Sequence, residues 1–269
     1  MSKFGIAQMP PSVDCAQNRL LISALVDEVA SNGAQVCVLP EEVMLLAGAV
    51  EQNLHELVEQ EWPKFLAHLS SLSKHYKISI IAGGYSPGDG VRLRNTIVAF
   101  DQNGDLITEY HKLHLYDAFS YQESKYVISG DELPPVIDLV DFQVGVINCY
   151  DIRFPELTRS LVDRGANVLI VPAAWLKGAR KEAHWETLLS ARAIENTIWV
   201  IAAGSTSDDC IGNSMIIDPM GIQKARLTEE KIATAVCEIT HERLDLVREI
   251  LPVLKNRRLT TPSLLKASV

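Results

Sequence analysis

Three side chains whose chemistry suits reactions at a carbonyl group each follow a short apolar run in this sequence. They are Glu41 after Val36–Pro40, Lys112 soon after Leu106–Tyr110, and Cys149 after Val144–Asn148. A carboxyl can transfer protons, an ammonium can stabilise negative charge, and a thiolate is a strong nucleophile. Strand ends hold side chains rigidly while the loops beyond them leave room for a ligand, so these positions suit a functional site.

Cys149 lies between a predicted strand and the segment Tyr150–Pro155, which leads into a predicted helix. A thiol in such a turn lies near free backbone N–H groups, which lower its pKa and can bind an oxyanion. For this segment alone, a buried cysteine without chemical function is the alternative interpretation.

The charged candidates also have structural alternatives. Lys112 is flanked by apolar residues, so its ammonium must either reach solvent or meet a negative partner. Glu41 is followed by Glu42, and because successive residues of an extended chain point to opposite sides, only one of them is expected to face a site. Glu123 is a further candidate, with a solvated surface carboxylate as the alternative.

His111 and His114 raise the question of a metal site. Their spacing in a strand would place them on opposite faces, and the sequence offers no second cluster of metal ligands. We therefore expect no metal in this protein.

The elements that must position these residues alternate between strand and helix. Apolar spacing over residues 21–29 predicts a first helix that stops at Asn32-Gly33, and a second is predicted over about Glu61–His75. Further predictions are strands at Phe4–Met9, Val36–Leu39, Ile78–Gly83, Asn95–Phe100, Leu106–Tyr110, Val144–Asn148, Val168–Val171 and Trp199–Ala203, helices at Pro155–Arg164 and Glu182–Glu195, and a turn at Asp218–Gly221. Short turns between strands argue for a mixed sheet or two sheets covered by helices, although periodicity alone does not exclude one doubly wound sheet.

Composition limits the function classes. The chain has 269 residues, is 47% hydrophobic and has no Gly-, Pro- or Ser-rich linker, so we expect one domain over 1–269 with a C-terminal tail from about 252. A formal net charge of -9 argues against nucleic-acid binding, and any substrate carboxylate would need a local Arg or Lys. No signal peptide or membrane-spanning run is present, and an odd set of five scattered cysteines fits a reducing compartment, so we expect a cytoplasmic protein without membrane partners.

The ordered set of short motifs resembles the nitrilase superfamily of carbon–nitrogen hydrolases. The matching segments are Leu39–Glu41, Asn95, Lys112–His114, Gly130, Asn148–Glu156, Pro172–Trp175, Arg192–Asn196 and Gly212–Ser214, which cover nearly the whole chain. The resemblance implies an α/β fold, namely a four-layer α-β-β-α sandwich in a single domain, which forms a homodimer through its helices.

The same resemblance implies a set of catalytic roles. Glu41 would be the general base, Lys112 the fixed positive charge, and Cys149 the nucleophile that forms a thioester during amide hydrolysis. Glu123 would position Lys112 or the substrate, and the backbone N–H of Tyr150 would face the oxyanion. Burial would raise the pKa of Glu41 while Lys112 would lower it, and the sequence does not decide between them. No metal or organic cofactor is required.

The segments Lys112–Phe119 and Gln122–Ser124 resemble, more narrowly, the bacterial amidases that act on deaminated glutathione. This resemblance implies hydrolysis of that small-molecule amide to 2-oxoglutarate and Cys-Gly. Three competing functions are an ω-amidase acting on 2-oxoglutaramate or a similar dicarboxylic monoamide, a non-catalytic metabolite-binding protein of the same fold, and a soluble acyltransferase.

Two residues are predicted to bind this substrate. Arg153 would hold a substrate carboxylate, because a guanidinium can bind a carboxylate bidentately. An ion pair with Asp151 or Glu156 is the alternative for Arg153. Trp175 would form a wall of the pocket, with a place in the hydrophobic core as its alternative.

Overall fold

The chain folds into two six-stranded mixed sheets with helices on their outer faces. The computed structural model describes residues 1–260, and the end of the expected C-terminal tail, 261–269, lies outside the described residues. The strands are β1 Ser2–Gln8, β2 Val36–Val38, β3 Ser79–Ser86, β4 Arg94–Phe100, β5 Leu106–His111, β6 Asp117–Ala118, β7 Tyr121–Gln122, β8 Val136–Leu139, β9 Phe142–Val146, β10 Val168–Ala173, β11 Trp199–Gly204, β12 Met215–Ile217, β13 Gln223–Arg226 and β14 Ala233–Ile239. The helices are α1 Cys15–Ser31, α2 Leu54–Tyr76, α3 Pro155–Asp163, α4 Lys181–Asn196, α5 His241–Ile250 and α6 Val253–Asn256.

Each large sheet has three parallel strands at its centre and antiparallel strands beside them. The first sheet has the order β14-β1-β2-β3-β4-β5, with β1, β2 and β3 parallel. The second has the order β13-β12-β11-β10-β9-β8, with β9, β10 and β11 parallel. β14 follows β13 in the chain but pairs with β1, so the chain crosses from the second sheet back to the first.

Three apolar clusters separate the four layers. One lies between the two sheets, a second lies between the first sheet and helices α1 and α2, and the third lies between the second sheet and helices α3 and α4. Along β10, Val168 and Ile170 enter the cluster between the sheets, whereas Leu169 and Val171 pack beneath the helices. Strands buried on both faces read as continuous apolar runs, as these do in the sequence. The four-layer α-β-β-α sandwich expected from the sequence is therefore confirmed.

Several elements differ from the sequence prediction. α2 begins at Leu54 rather than near Glu61, because Leu54, Leu57 and Val58 continue the helical apolar spacing and pack on the first sheet. Pro63 lies inside this helix and does not end it. β8, β14 and α5 are additional elements that the sequence prediction lacks. Within residues 1–260, no helix is long and apolar enough to cross a bilayer.

Candidate active site

The three reactive side chains meet at the carboxyl ends of strands, where both sheets contribute to one cavity of about 660 Å³. Glu41 follows β2 and Lys112 follows β5, both in the first sheet, whereas Cys149 follows β9 in the second. All three line the cavity, and each is less than one-tenth exposed. The structure therefore brings together the three residues that the sequence singled out.

Glu41 is fixed by contacts from both sheets. The backbone N–H of Gly83 on β3 donates to the Pro40 carbonyl at 3.0 Å. A Cβ on Gly83 would lie 2.0 Å from the backbone oxygen of Glu41, so only glycine allows this approach. From the second sheet, the N–H of Ala174 donates to Glu41 Oε2 at 2.7 Å. The carboxylate thus has a single orientation in the cavity.

Lys112 lies between two buried carboxylates. Its Nζ is 2.8 Å from Glu41 Oε1 and 3.0 Å from Glu123 Oε2. The Asn95 side chain donates to both carboxylates at 2.8 Å and accepts from the Asn148 side chain at 2.8 Å. Buried charges need such partners, because desolvation would otherwise make them costly.

This arrangement determines two protonation states. Burial raises the pKa of Glu41, but the charge of Lys112 and the hydrogen bonds from Lys112, Ala174 and Cys149 together outweigh burial and hold that pKa below its ordinary value. Burial lowers the pKa of Lys112, but the nearby negative charges, chiefly Glu123 and Glu41, and the hydrogen bond to Glu41 together outweigh burial and raise that pKa well above its ordinary value. The carboxylate and the ammonium are therefore both charged at neutral pH, which settles the competition that the sequence left open.

Cys149 differs from its sequence-based expectation. Burial and the charge of Glu41 raise the pKa of its thiol well above the ordinary value, and the opposing effect of Lys112 is smaller. A backbone N–H, that of Ala174, does lower this pKa, as the sequence predicted for such groups, but its effect is smaller than those of burial and Glu41, so the net shift is upward. The thiol remains protonated at neutral pH and lies within hydrogen-bonding reach of Glu41, an acceptor for its proton.

Hydrogen bonds to the Asp151 carboxylate stabilise the turn that carries Cys149. Cys149 has a φ of 45°, a strained conformation for a residue with a side chain, and begins a 3₁₀ turn that ends at Arg153. The buried Asp151 carboxylate accepts from the backbone N–H of Asn148 at 3.0 Å. It also accepts from the Tyr110 hydroxyl at 2.7 Å and lies 2.7 Å from His114 Nδ1. These contacts hold the turn in a conformation that its own backbone disfavours.

Glu42 also lines the cavity, so the expectation that only one of the two adjacent carboxyls faces the site is wrong. The chain leaves the extended conformation after Pro40, and Glu41 and Glu42 lie in a turn, where strand alternation does not apply. The Tyr85 hydroxyl donates to Glu42 at 2.5 Å. Burial and the adjacent charge of Glu41 raise the pKa of Glu42 to about 7.

Substitution Glu42→Gln is expected to stabilise the protein more at pH 8 than at pH 5. The folded pKa is about 7 and the ordinary value is 4.5, so folding favours the protonated form and stability falls as pH rises through this window. Glutamine removes this loss, which we expect to amount to about 1–3 kcal/mol. Urea unfolding of both proteins at the two pH values measures the difference, and a gap that is independent of pH would contradict the prediction.

Arg153 and Trp175 lie beside the cavity. The guanidinium carbon of Arg153 is 4.7 Å from the ring centre of Trp175 and 5.8 Å from that of Tyr150, and both rings line the cavity. Arg153 itself is not among the lining residues, and within residues 1–260 it forms no ion pair with Asp151 or Glu156. Trp175 fulfils both alternatives, because it lines the cavity and also packs on Trp185 in the core.

Sequence reasoning assigned no role to Asn95, Ala174, Glu42 or Lys181. Lys181 is the first residue of α4, is buried, and lines the cavity. A cation at a helix N-terminus opposes the helix dipole, and this signal in the sequence could have drawn attention to it. Asn95 and Ala174 act through contacts that span more than fifty residues along the chain, for which local sequence carries no signal.

Comparison with known proteins defines the class to which this fold and site belong. The carbon–nitrogen hydrolase family matches residues 3–249. The chain is 40% identical to a deaminated glutathione amidase of Escherichia coli over 93% of this chain and 94% of that protein. It is 36% identical to a deaminated glutathione amidase of Synechocystis over 93% of this chain and 96% of that protein.

A solved structure has the same fold. The NitFhit protein of C. elegans superposes with a TM-score of 0.89 and 30% identity over 96% of this chain, which spans 65% of that longer protein. The chain therefore belongs to the carbon–nitrogen hydrolase family, the nitrilase superfamily, and is an amidase that hydrolyses carbon–nitrogen bonds.

Proposed function

We propose that this enzyme hydrolyses its amide substrate through a thioester on Cys149, with Glu41 as general base and Lys112 as the fixed positive charge. The observation that carries this proposal is the single buried cluster in which the thiol, the ionised carboxylate and the ammonium lie together. Cofactors have no part in this mechanism, because the chain's own side chains supply the nucleophile, the base and the charge.

In the first half of the reaction, Glu41 accepts the thiol proton as the sulfur attacks the amide carbon. The ammonium of Lys112 and the backbone N–H of Tyr150 stabilise the oxyanion. The N–H of Tyr150 is free to do so because N–H groups in the first turn of a helix have no acceptor within that helix. Glu41 then returns its proton to the departing amine as the carbon–nitrogen bond breaks, and a thioester remains on Cys149.

In the second half, Glu41 takes a proton from water as that water attacks the thioester. The carbon–sulfur bond breaks, the thiol recovers its proton, and the carboxylic acid leaves. One carboxyl thus acts as base, acid and base again. Glu123 holds Lys112 in place at 3.0 Å throughout the cycle.

Deaminated glutathione is the substrate that we propose, with 2-oxoglutarate and Cys-Gly as products. Two relatives that are aligned over nearly their full length are named for this activity. The cavity is large enough for a substrate of this size. Its walls include Trp175 and Tyr150, and we propose that Arg153, whose guanidinium lies beside both rings, binds a substrate carboxylate.

Incubation of the purified enzyme with deaminated glutathione tests this function. We expect stoichiometric release of 2-oxoglutarate and Cys-Gly, because the acyl group passes to Cys149 and then to water. Cys149→Ala, the matched control, removes the nucleophile and is expected to release neither. If the wild-type enzyme released no more 2-oxoglutarate than this control, the proposed substrate would be wrong.

An ω-amidase acting on 2-oxoglutaramate is the second candidate. Its substrate has the same acyl group, so the contacts at Arg153 would serve either compound equally. The two substrates differ only in the leaving amine, and the ratio of kcat/KM on the two compounds distinguishes the functions.

We also propose that the protein is a cytoplasmic homodimer formed by a single domain. All five cysteines are free, which suits a reducing compartment. Apolar side chains on helices and a nearby turn are exposed, as a helical dimer interface would require; they are Ile194, Met220, Ile222, Leu246 and Ile250.

A further inference from the structure

Lys181 is a buried cation in the active-site cavity without an anionic partner. It is 4% exposed and lines the same cavity as Cys149. Its Nζ donates to the Tyr116 hydroxyl at 2.6 Å and lies 4.4 Å from the ring centre of Phe119 and 5.3 Å from that of Trp175. Within residues 1–260, no carboxylate lies within ion-pair distance of this ammonium.

The surroundings of Lys181 disfavour its charge. Burial and the charge of Arg153 lower the pKa of Lys181. Lys181 is also the first residue of the sixteen-residue helix α4, where the helix dipole is positive. The aromatic rings compensate only in part, because a hydrated ammonium loses strong interactions with water on burial.

Arg153 is a second cation against the same aromatic ring, although it does not itself line the cavity. Lys181 and Arg153 both lie against the Trp175 ring, at 5.3 and 4.7 Å. The Nε and Nη2 atoms of Arg153 are buried and have no hydrogen-bond acceptor within the described part of the chain. Two cations therefore lie against one aromatic ring, and neither has an anionic partner among residues 1–260.

Two other buried cations within residues 1–260, Lys112 and Arg192, are neutralised. Lys112 has two carboxylate partners, and Arg192 donates to the Ile152 carbonyl and pairs with Glu195. Lys181 differs from Lys112 and Arg192 in this respect, and it lines the cavity. An anion that enters the cavity could supply the partner that the Lys181 ammonium lacks.

We propose that Lys181 is a further substrate-binding residue and binds a carboxylate in the acyl portion of the substrate, beside the aromatic ring that Arg153 also contacts. Lys181 is the new binding residue in this inference. The inference rests on the proposed amidase function and goes beyond it by naming the group that recognises the acyl end. It does not depend on which amine leaves.

Binding of 2-oxoglutarate to the Cys149→Ala protein, measured by calorimetry, tests the inference without turnover. Lys181→Met keeps most of the side-chain volume and removes the charge. We expect it to weaken the Kd by about 10- to 100-fold, the range for a lost hydrogen bond to a charged group. Lys181→Arg should restore most of the affinity. Lys177→Met removes an exposed lysine four residues earlier, whose ammonium donates to the Asp208 carbonyl, and should leave the Kd unchanged.

Two outcomes would overturn the inference. One is that the Cys149→Ala proteins with and without Lys181→Met bind 2-oxoglutarate with equal affinity, while circular dichroism shows that both are folded. The other is the absence of measurable binding of 2-oxoglutarate, glutarate and succinate to the Cys149→Ala protein.

The experiments distinguish a failure of the proposed function from a failure of this inference. If deaminated glutathione is not hydrolysed but dicarboxylate binding still depends on Lys181, the named substrate is wrong and the inference stands. If deaminated glutathione is hydrolysed with the same KM by the Lys181→Met enzyme, the inference is wrong and the function stands.

Discussion

Glu41→Gln is expected to lower kcat/KM by about 10²–10⁴-fold while the protein stays folded. The Cys149 thiol is protonated at neutral pH, because burial and the charge of Glu41 raise its pKa. The attack therefore needs a group that removes the proton during the reaction, and Glu41 is the acceptor in contact with the thiol. Glutamine has the same shape but cannot take that proton.

Steady-state kinetics on deaminated glutathione measure the change in kcat/KM, and thermal unfolding checks that the variant stays folded. Glu42→Gln makes the same chemical change one residue away. We expect it to lower kcat/KM by less than about 10-fold, well short of the contribution of a general base. If Glu41→Gln retained more than one-tenth of wild-type kcat/KM, Glu41 could not be the general base.

Lys112→Met is expected to abolish turnover and also to destabilise the fold by about 3–5 kcal/mol. Glu41 and Glu123 are both 3% exposed, and Lys112 is the cation between them. Without it, two carboxylates remain buried side by side with only Asn95 donating to both. For a chain of this size the loss corresponds to a fall in Tm of roughly 10 °C.

A second variant separates the two consequences of removing Lys112. Lys112→Met combined with Glu123→Gln leaves one buried carboxylate instead of two, so we expect part of the lost stability to return. Turnover should remain absent, because no ammonium faces the oxyanion. Calorimetric Tm values of the two variants and the wild-type protein decide the matter; a single variant as stable as wild type would refute the role of Lys112 in neutralising this cluster.

Most of the fold was predictable because its signals are local. The apolar spacing of α1 and its stop at Asn32-Gly33 appear as expected, and α1 ends at Ser31. β10 and β11 are continuous apolar runs, as strands buried on both faces should be.

The elements absent from the prediction depend on distant partners. β14 is mostly half-buried, and its position is determined by pairing with β1, more than two hundred residues earlier in the chain. Periodicity likewise did not choose between one sheet and two, because that choice depends on which strand faces contact each other after folding.

The site was predictable to a similar extent. Glu41, Lys112 and Cys149 each stand at a strand end, and the ordered motifs pointed to their convergence. The direction of the Cys149 pKa shift was not predictable, since it depends on how deeply the thiol is buried and how close Glu41 lies. The position of Lys181 at the start of α4 is a sequence signal, but its burial in the cavity without a carboxylate partner within residues 1–260 depends on three-dimensional packing.

The split origin of the site also has a consequence for folding. Glu41 and Lys112 come from one sheet, whereas Cys149 and the N–H of Ala174 come from the other. A nascent or refolding chain with only one sheet assembled therefore has no competent nucleophile–base pair. A change that separates the two sheets is therefore expected to abolish hydrolysis even where each sheet by itself remains folded.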